Sequence, residues 1–350
     1  HISKLVLSLS TLSTFVDTSS TSTCSTILPF VGTVVASYLD HPSVEVRQEA
    51  ALTCCRMLLP SNTANKLYTK NGINKRIRKN NLKPTPVPRS PGPSGQVVEQ
   101  VLYKLLRVAV SDPSPEVRHC MILALDSRYD RYLCQAHHVS TLFLLVQDEV
   151  FAIRANALKL LGRLAVMNPA YVLPSLRQVL MRIILELQCN GDTGVRELAT
   201  RTLIVFLRAS ALQRLVRPFL RSLVAVLPLK NVAPRLAAAA LEALGELALV
   251  VRGGMKPWLS ELIPHIIQTM KDQSSVSKQQ TSLRTLGQLV GATGYVITPY
   301  LAYPNLMPIA VAVLPGTKNA PWNLRCEVLR TFGILGALDP QKLTAVTDSN

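Results

Sequence analysis

Apolar positions along this chain recur at helical spacing and stop at short polar breaks. The stretch from Val139 to Ala165 shows the unit. An apolar run, Val139 to Val146, ends at Gln147-Asp148-Glu149, and a second run opens near Ile153-Arg154 and carries Ala157, Leu160, Leu161 and Leu164. Those four positions follow i, i+3, i+4, i+7, one stripe of an α-helix. Asn168-Pro169 stops the pattern. The same design predicts first helices over 27–39, 97–110, 138–147, 172–188, 215–228, 257–271 and 299–314. Second helices are predicted over 44–59, 116–127, 151–166, 194–209, 233–251, 276–291 and 323–337.

Each second helix carries a basic residue near its start: Arg47, Arg118, Arg154, Arg196, Arg235, Lys278 and Arg325. The steps between them are 71, 36, 42, 39, 43 and 47 residues. Five of the six fall in or near the roughly 40–47-residue period of HEAT and armadillo repeats. The first step is one such period plus an insertion of about 30 residues on that same scale. The expected fold class is all-α, an α-solenoid of about seven HEAT-like helix pairs, counted on that period. Aromatic residues make up only 5% of the chain, so Leu, Val, Ile and Ala must fill the seam, which suits helix pairs better than a sheet sandwich. The predicted organisation is a truncated HEAT-like beginning over 1–60, an insertion over 61–95, HEAT-like repeats over 96–345 and a fragment end over 346–350.

The turns between paired helices hold an acid or amide shortly before the basic residue. Asp112, Asp148, Asp272 and Asn319 each precede theirs by six residues, and Asp40 and Asp192 keep the order at seven and four. An Asp here can accept from free N–H groups at a helix start, or face the Arg of a stacked repeat, making a ladder along the array. Gly162, Gly245, Gly287 and Gly333 sit at matching points inside second helices. A helix-interior Gly costs roughly 1 kcal/mol relative to Ala, so their recurrence predicts close helix approach. None lies in a phosphate-loop arrangement.

The formal net charge is +17, and its distribution qualifies its size. Eight basic residues and no acid lie between Ser61 and Gly95; taking 8 from 17 leaves +9 over the other 315 residues. The densest basic run thus falls in a predicted loop rather than on one face of ordered elements, so no specific nucleic-acid partner is expected. Five prolines between Pro84 and Pro93 preclude a regular helix there and predict a disordered insertion. Its run Asn74 to Lys79 reads as solvated, with nuclear import or contact with an acidic partner or phosphate as weaker alternatives.

Candidate chemistry is sparse. The seven cysteines form no CxxC pair and read as buried, reduced thiols. His137-His138 is the one histidine cluster and lacks companions at metal-ligand spacing. No GxSxG, HExxH, HRD-type loop or DFG is present, and Asp130-Arg131-Tyr132 reads as a helix-end charge pair. No catalytic, cofactor-binding or metal residues are expected in the chain. Leu5 to Val16 predicts a helix rather than a signal peptide, and no run of 18 apolar residues predicts a membrane span.

Less regular strings carry a more specific resemblance. Gly162-Arg163-Leu164 with the run Met167 to Arg177, the run Thr285 to Val290 continuing through Thr293-Gly294-Tyr295-Val296 to Tyr303-Pro304, and the run Gly333 to Lys342 resemble the HEAT region of the target of rapamycin (TOR) kinases. So do Asp112-Pro113, Val117-Arg118 and Leu125-Asp126, and the resemblance covers about residues 35–345. It implies a non-catalytic scaffold segment of a large Ser/Thr kinase of the phosphatidylinositol-3-kinase-related family. The implied partners are Raptor-type or Rictor-type subunits and a second TOR chain, within complexes that serve nutrient and growth signalling. ATP and Mg are implied only for the parent's kinase domain, and the implied location is the cytoplasm, with endomembrane surfaces reached through partners. The competing reading is a stand-alone HEAT adaptor, such as a phosphatase scaffold or transport receptor.

Overall fold

Every regular element among the described residues is a helix. The computed structural model describes residues 1–18, 24–58, 93–189, 191–209, 213–229, 232–272, 275–296, 299, 302–313 and 322–335. The basic run 74–79 and nearly all of the predicted insertion lie outside them. So do Asn319 and residues 336–350.

The chain divides into two units, His1–Ser175 and Leu176–Asn350. In the first, α1 (Ile2–Thr18), α3 (Val44–Leu58), α5 (Pro115–Ala124) and α8 (Phe151–Met167) stack in sequence. The other layer holds α2 (Cys24–Thr33), extended by 3-10 turns over Val35–Asp40, then α4 (Pro93–Ser111) and α7 (Ala136–Leu145). The helix α4 opens on Pro93, inside the predicted insertion; proline is tolerated in a first helical turn because its missing N–H is not needed there. Pro115 takes the same kind of position in α5.

In the second unit, α10 (Thr193–Arg208), α13 (Pro234–Val251), α15 (Val276–Thr293) and α17 (Trp322–Leu335) form the stacked layer. Their partners are α14 (Leu259–Lys271) and α16 (Leu306–Ala312), preceded by the short α11 (Gln213–Val216) and α12 (Leu220–Val226). The helix α9 (Pro169–Cys189) contains the division between the units.

The apolar stripes become the seam. Ile153, Ala157, Leu160, Leu161 and Leu164 are all buried in α8. Each such leucine gains roughly 1.5–3 kcal/mol from burial. Helix starts are fixed by the turn acids: Asp192 accepts from the Gly194 N–H at 2.8 Å, and Gly294, at φ +72°, ends α15 in the left-handed conformation. The predicted first helix over 215–228 is broken instead, α11 passing through a 3-10 turn at Arg217–Phe219 before α12 resumes. The break falls at Pro218, which has no backbone N–H to give to a helical ladder.

Candidate functional site: an arginine–aspartate ladder

The turn acids and second-helix arginines meet in the first unit. Arg47, at the start of α3, donates from Nε to Asp112 Oδ2 at 2.8 Å and from Nη2 to Oδ1 at 3.0 Å. Asp112 lies in the turn between α4 and α5, one repeat further on. The remaining Arg47 nitrogen, Nη1, donates to the carbonyls of His41 and Pro42 in its own turn. Arg118 repeats the arrangement. It donates to Asp148 at 2.8 and 3.2 Å, to Glu149 at 3.0 Å and to its own-turn carbonyl of Asp112 at 2.8 Å. The Asp148 hydrogen bond holds the Arg118 guanidinium above its ordinary value, against the opposing effect of burial.

Each acid also serves its own helix. Asp112 Oδ1 accepts from the Ser114 N–H and Asp148 Oδ1 from the Val150 N–H. One carboxylate therefore fixes a turn and ties it to the preceding repeat. The planar guanidinium makes this possible, because its fork matches a carboxylate in a bidentate way while a third nitrogen remains for carbonyls.

The other predicted rungs differ. Lys278 bonds Asp272 at 2.7 Å, within its own turn, as a compact ammonium does in place of a fork. Arg154 and Arg196 are half-buried at the starts of α8 and α10. Arg235 and Arg325 are exposed, which removes both from the role of inner struts; their spacing along the chain matches, but their side chains face solvent.

The predicted packing glycines also separate. Gly162 is buried in α8. A Cβ at Gly245 in α13 would lie 2.0 Å from Gln288 Oε1 and 3.5 Å from Thr285 Oγ1 of α15. One at Gly287 would lie 3.2 Å from Ile334 Cδ1 of α17. Gly333 is different: it is exposed, and among the described residues a Cβ there meets nothing within 4 Å. The expectation of close packing fails at that position because no described helix approaches it. Gly333→Ala should therefore stabilise α17 by up to about 1 kcal/mol, the intrinsic helix preference of Ala over Gly. A rise in the thermal midpoint checks this, and a fall would mean that the site is crowded.

The expectation of buried thiols holds for Cys54, Cys55 and Cys134 but not for Cys189, which is exposed, or for Cys120 and Cys326, which are half-buried. Burial pushes the Cys54 thiol up to about 12 and Cys55 higher still, so neither is a thiolate nucleophile. His138 is buried and lowered to about 4, mainly by desolvation, and is neutral at ordinary pH. Among the described residues no three His, Cys, Asp or Glu side chains are grouped to hold a metal ion. Among the same residues no helix is long and apolar enough to cross a membrane.

The comparisons with known proteins agree with the strings that lie between the rungs. The family model described as the serine/threonine-protein kinase mTOR domain matches residues 296–350. The chain is 33% identical over 340 residues to serine/threonine-protein kinase tor1 of Schizosaccharomyces pombe, covering 96% of this chain and 13% of that protein. It is 35% identical over 315 residues to serine/threonine-protein kinase TOR2 of Saccharomyces cerevisiae, covering 89% and 12%. The chain belongs to the HEAT-repeat region of the TOR kinases. It spans a small part of the length of these relatives. A solved structure of importin beta has the same fold, with a TM-score of 0.60 at 14% identity over 93% of this chain and 38% of that one.

Two sets of residues in this TOR segment escaped the sequence reading. Buried threonines strap stacked helices together: Thr53 donates to the Leu9 carbonyl at 3.1 Å, Thr285 to Leu241 at 2.8 Å and Thr331 to Leu283 at 3.1 Å. Each follows its repeat's basic residue by six or seven positions, a signal that a search for apolar stripes passes over. The second set is the short segment 127–133. Asp130 there pairs with Arg163 of α8 at 2.9 Å, not with its neighbour Arg131, which is exposed; burial raises the Asp130 carboxyl and Arg163 partly offsets this.

Proposed function

We propose that this chain is a non-catalytic scaffold segment of a TOR-type serine/threonine protein kinase. On this reading it holds Raptor-type or Rictor-type subunits, or a second TOR chain, during complex assembly in nutrient and growth signalling. The supporting observation is the 33% identity sustained across 96% of a chain built as stacked helix pairs. Stacked pairs present long continuous surfaces, which suits docking more than turnover. The ladder contributes in the first unit, where Asp112 and Asp148 each fix their turn to the repeat before it, so that the surface presented there keeps its register. ATP and Mg belong, in this proposal, to the kinase domain of the parent. The parent is placed in the cytoplasm, reaching endomembranes through its partners.

Native purification of the polypeptide that carries this chain tests the reading. The expected product is far larger than 38.3 kDa, contains a kinase domain and brings a Raptor-type or Rictor-type subunit with it. A product lacking a kinase domain would favour the stand-alone adaptor. A kinase that purifies without either subunit would remove the docking role and leave the family assignment standing.

A further inference from the structure

The second unit contains a stretch with an unusual charge balance. No acidic residue occurs between Glu197 and Glu242, while Arg201, Arg208, Arg214, Arg217, Arg221, Lys230 and Arg235 all fall inside it. The acids that border the stretch are already used. Glu197 pairs with Arg201 at 2.6 Å, and Glu242 and Glu246 pair with Arg208 at 2.7 and 3.0 Å. Nothing in the intervening sequence remains to neutralise Arg214, Arg217 and Arg221.

These three arginines share one side of the broken helix. They are spaced i, i+3, i+7, and all are exposed, whereas Val216, Leu220 and Leu223 turn inward. None has an ion-pair partner among the described residues, unlike the exposed Arg182 and Arg330, which pair with Glu186 and Glu327. A fourth guanidinium joins them. Arg177 of α9 is exposed and lies over the Phe219 ring, 5.5 Å from its centroid. Phe219 sits between Arg217 and Arg221, so this contact holds Arg177 against the same helical segment.

We infer that Arg177, Arg214, Arg217 and Arg221 form a docking surface for an Asp/Glu-rich segment of a partner protein. The row of three spans about 10 Å at 1.5 Å per residue, the length of about three residues of extended chain. Guanidinium forks suit carboxylates, and the Phe219 contact limits the freedom Arg177 must give up on binding. The exposed residue between the arginines is Pro218, with Ser222 and Ala225 beyond, and they offer no large apolar group for a bilayer. The aromatic ring at the patch is taken by Arg177, which leaves no platform for stacking bases. The inference rests on charge and exposure in this unit and not on the kinase reading, so the loss of either leaves the other intact.

The test uses the intact protein that carries this chain and a fluorescein-labelled twelve-residue peptide of alternating Glu and Ser. Fluorescence anisotropy should show binding that weakens from 50 to 200 mM salt, as pairing between exposed charges requires (probe concentrations chosen on the general scale of screening). The variant R214A/R217A/R221A should weaken binding by about tenfold or more, and R177A by a smaller factor. The control R284A/R325A, which removes two exposed arginines elsewhere in the unit, should leave affinity within about twofold. Equal losses in the control would overturn the proposal. So would uptake by phosphatidylserine vesicles, or binding of a single-stranded oligonucleotide, through the same three arginines without binding of the peptide. Unchanged circular dichroism of each variant separates lost contact from lost fold.

Discussion

Asp112→Ala should destabilise the first unit by about 3–5 kcal/mol, the cost of stripping one partner from a buried ion pair. The Arg47 and Asp112 side chains are 10% and 4% exposed, so the stranded guanidinium has little water to turn to. It would keep the His41 and Pro42 carbonyls through Nη1 but lose its partners at Nε and Nη2. The α5 turn would also lose the bond from the Ser114 N–H. Asp272→Ala gives the contrast. Its carboxylate is 35% exposed, and a pair of that kind contributes about 0–1 kcal/mol. Amide exchange reads both: protection in α3 and α5 should fall by about a hundredfold or more for the first, at roughly tenfold per 1.4 kcal/mol. The double variant R47M/D112L should recover much of the loss, because apolar replacement of both partners removes the stranded charge. Equal exchange in Asp112→Ala and Asp272→Ala would mean that the rung at Arg47 behaves as a surface pair.

That contrast also marks how far the sequence could be read. The second helices were legible because a basic residue, an apolar stripe and a preceding acid recur in one order. The same order placed Arg47 and Arg118 near acids of the next repeat. It could not tell them from Arg235 and Arg325, which keep the spacing and face solvent. Spacing fixes the position of a residue along its helix. Burial depends on what packs over that position, and this is set by the following helix. Gly333 makes the same point, since it matches Gly245 and Gly287 in register yet has no described neighbour across from it. The basic patch was hidden for a related reason. The densest basic run lies in the loop at 61–95, while the arginines of the second unit are left unbalanced because Arg201 and Arg208 use the bordering acids, which spacing along the chain does not show. The family, by contrast, was legible from strings such as Thr285 to Val290, where helix-packing and loop residues are kept together.

The short segment between α5 and α7 carries the second large effect. It holds 3-10 turns over Ser127–Tyr129 and the single-turn α6 (Asp130–Leu133), which the repeat pattern did not predict. Tyr129 is fully buried, and its hydroxyl donates to the Cys55 carbonyl near the end of α3. Burial holds that phenol well above its ordinary value, so it remains a donor at any ordinary pH. The next residue, Asp130, pairs with Arg163 of α8, and Asn168 donates to the Cys134 carbonyl at 2.8 Å. One connecting segment thereby ties α3 and α8, which lie on either side of α5 in the stack. Tyr129→Ala removes a large ring from a closed site and leaves the Cys55 carbonyl without its donor, so it should cost about 3–5 kcal/mol. Tyr129→Phe keeps the ring and should cost about 1–3 kcal/mol, the penalty of a buried acceptor left unpaired. Thiol labelling followed at Cys54 and Cys55 by peptide mass spectrometry reports the outcome, because these two are buried beside this contact and react only when α3 opens, whereas the exposed Cys189 labels in every variant. The order of labelling rates should be Tyr129→Ala, then Tyr129→Phe, then the unaltered chain. If Tyr129→Phe labels as fast as Tyr129→Ala, the hydrogen bond and not the ring holds the segment; if neither exceeds the unaltered chain, the segment does not clamp α3 at all.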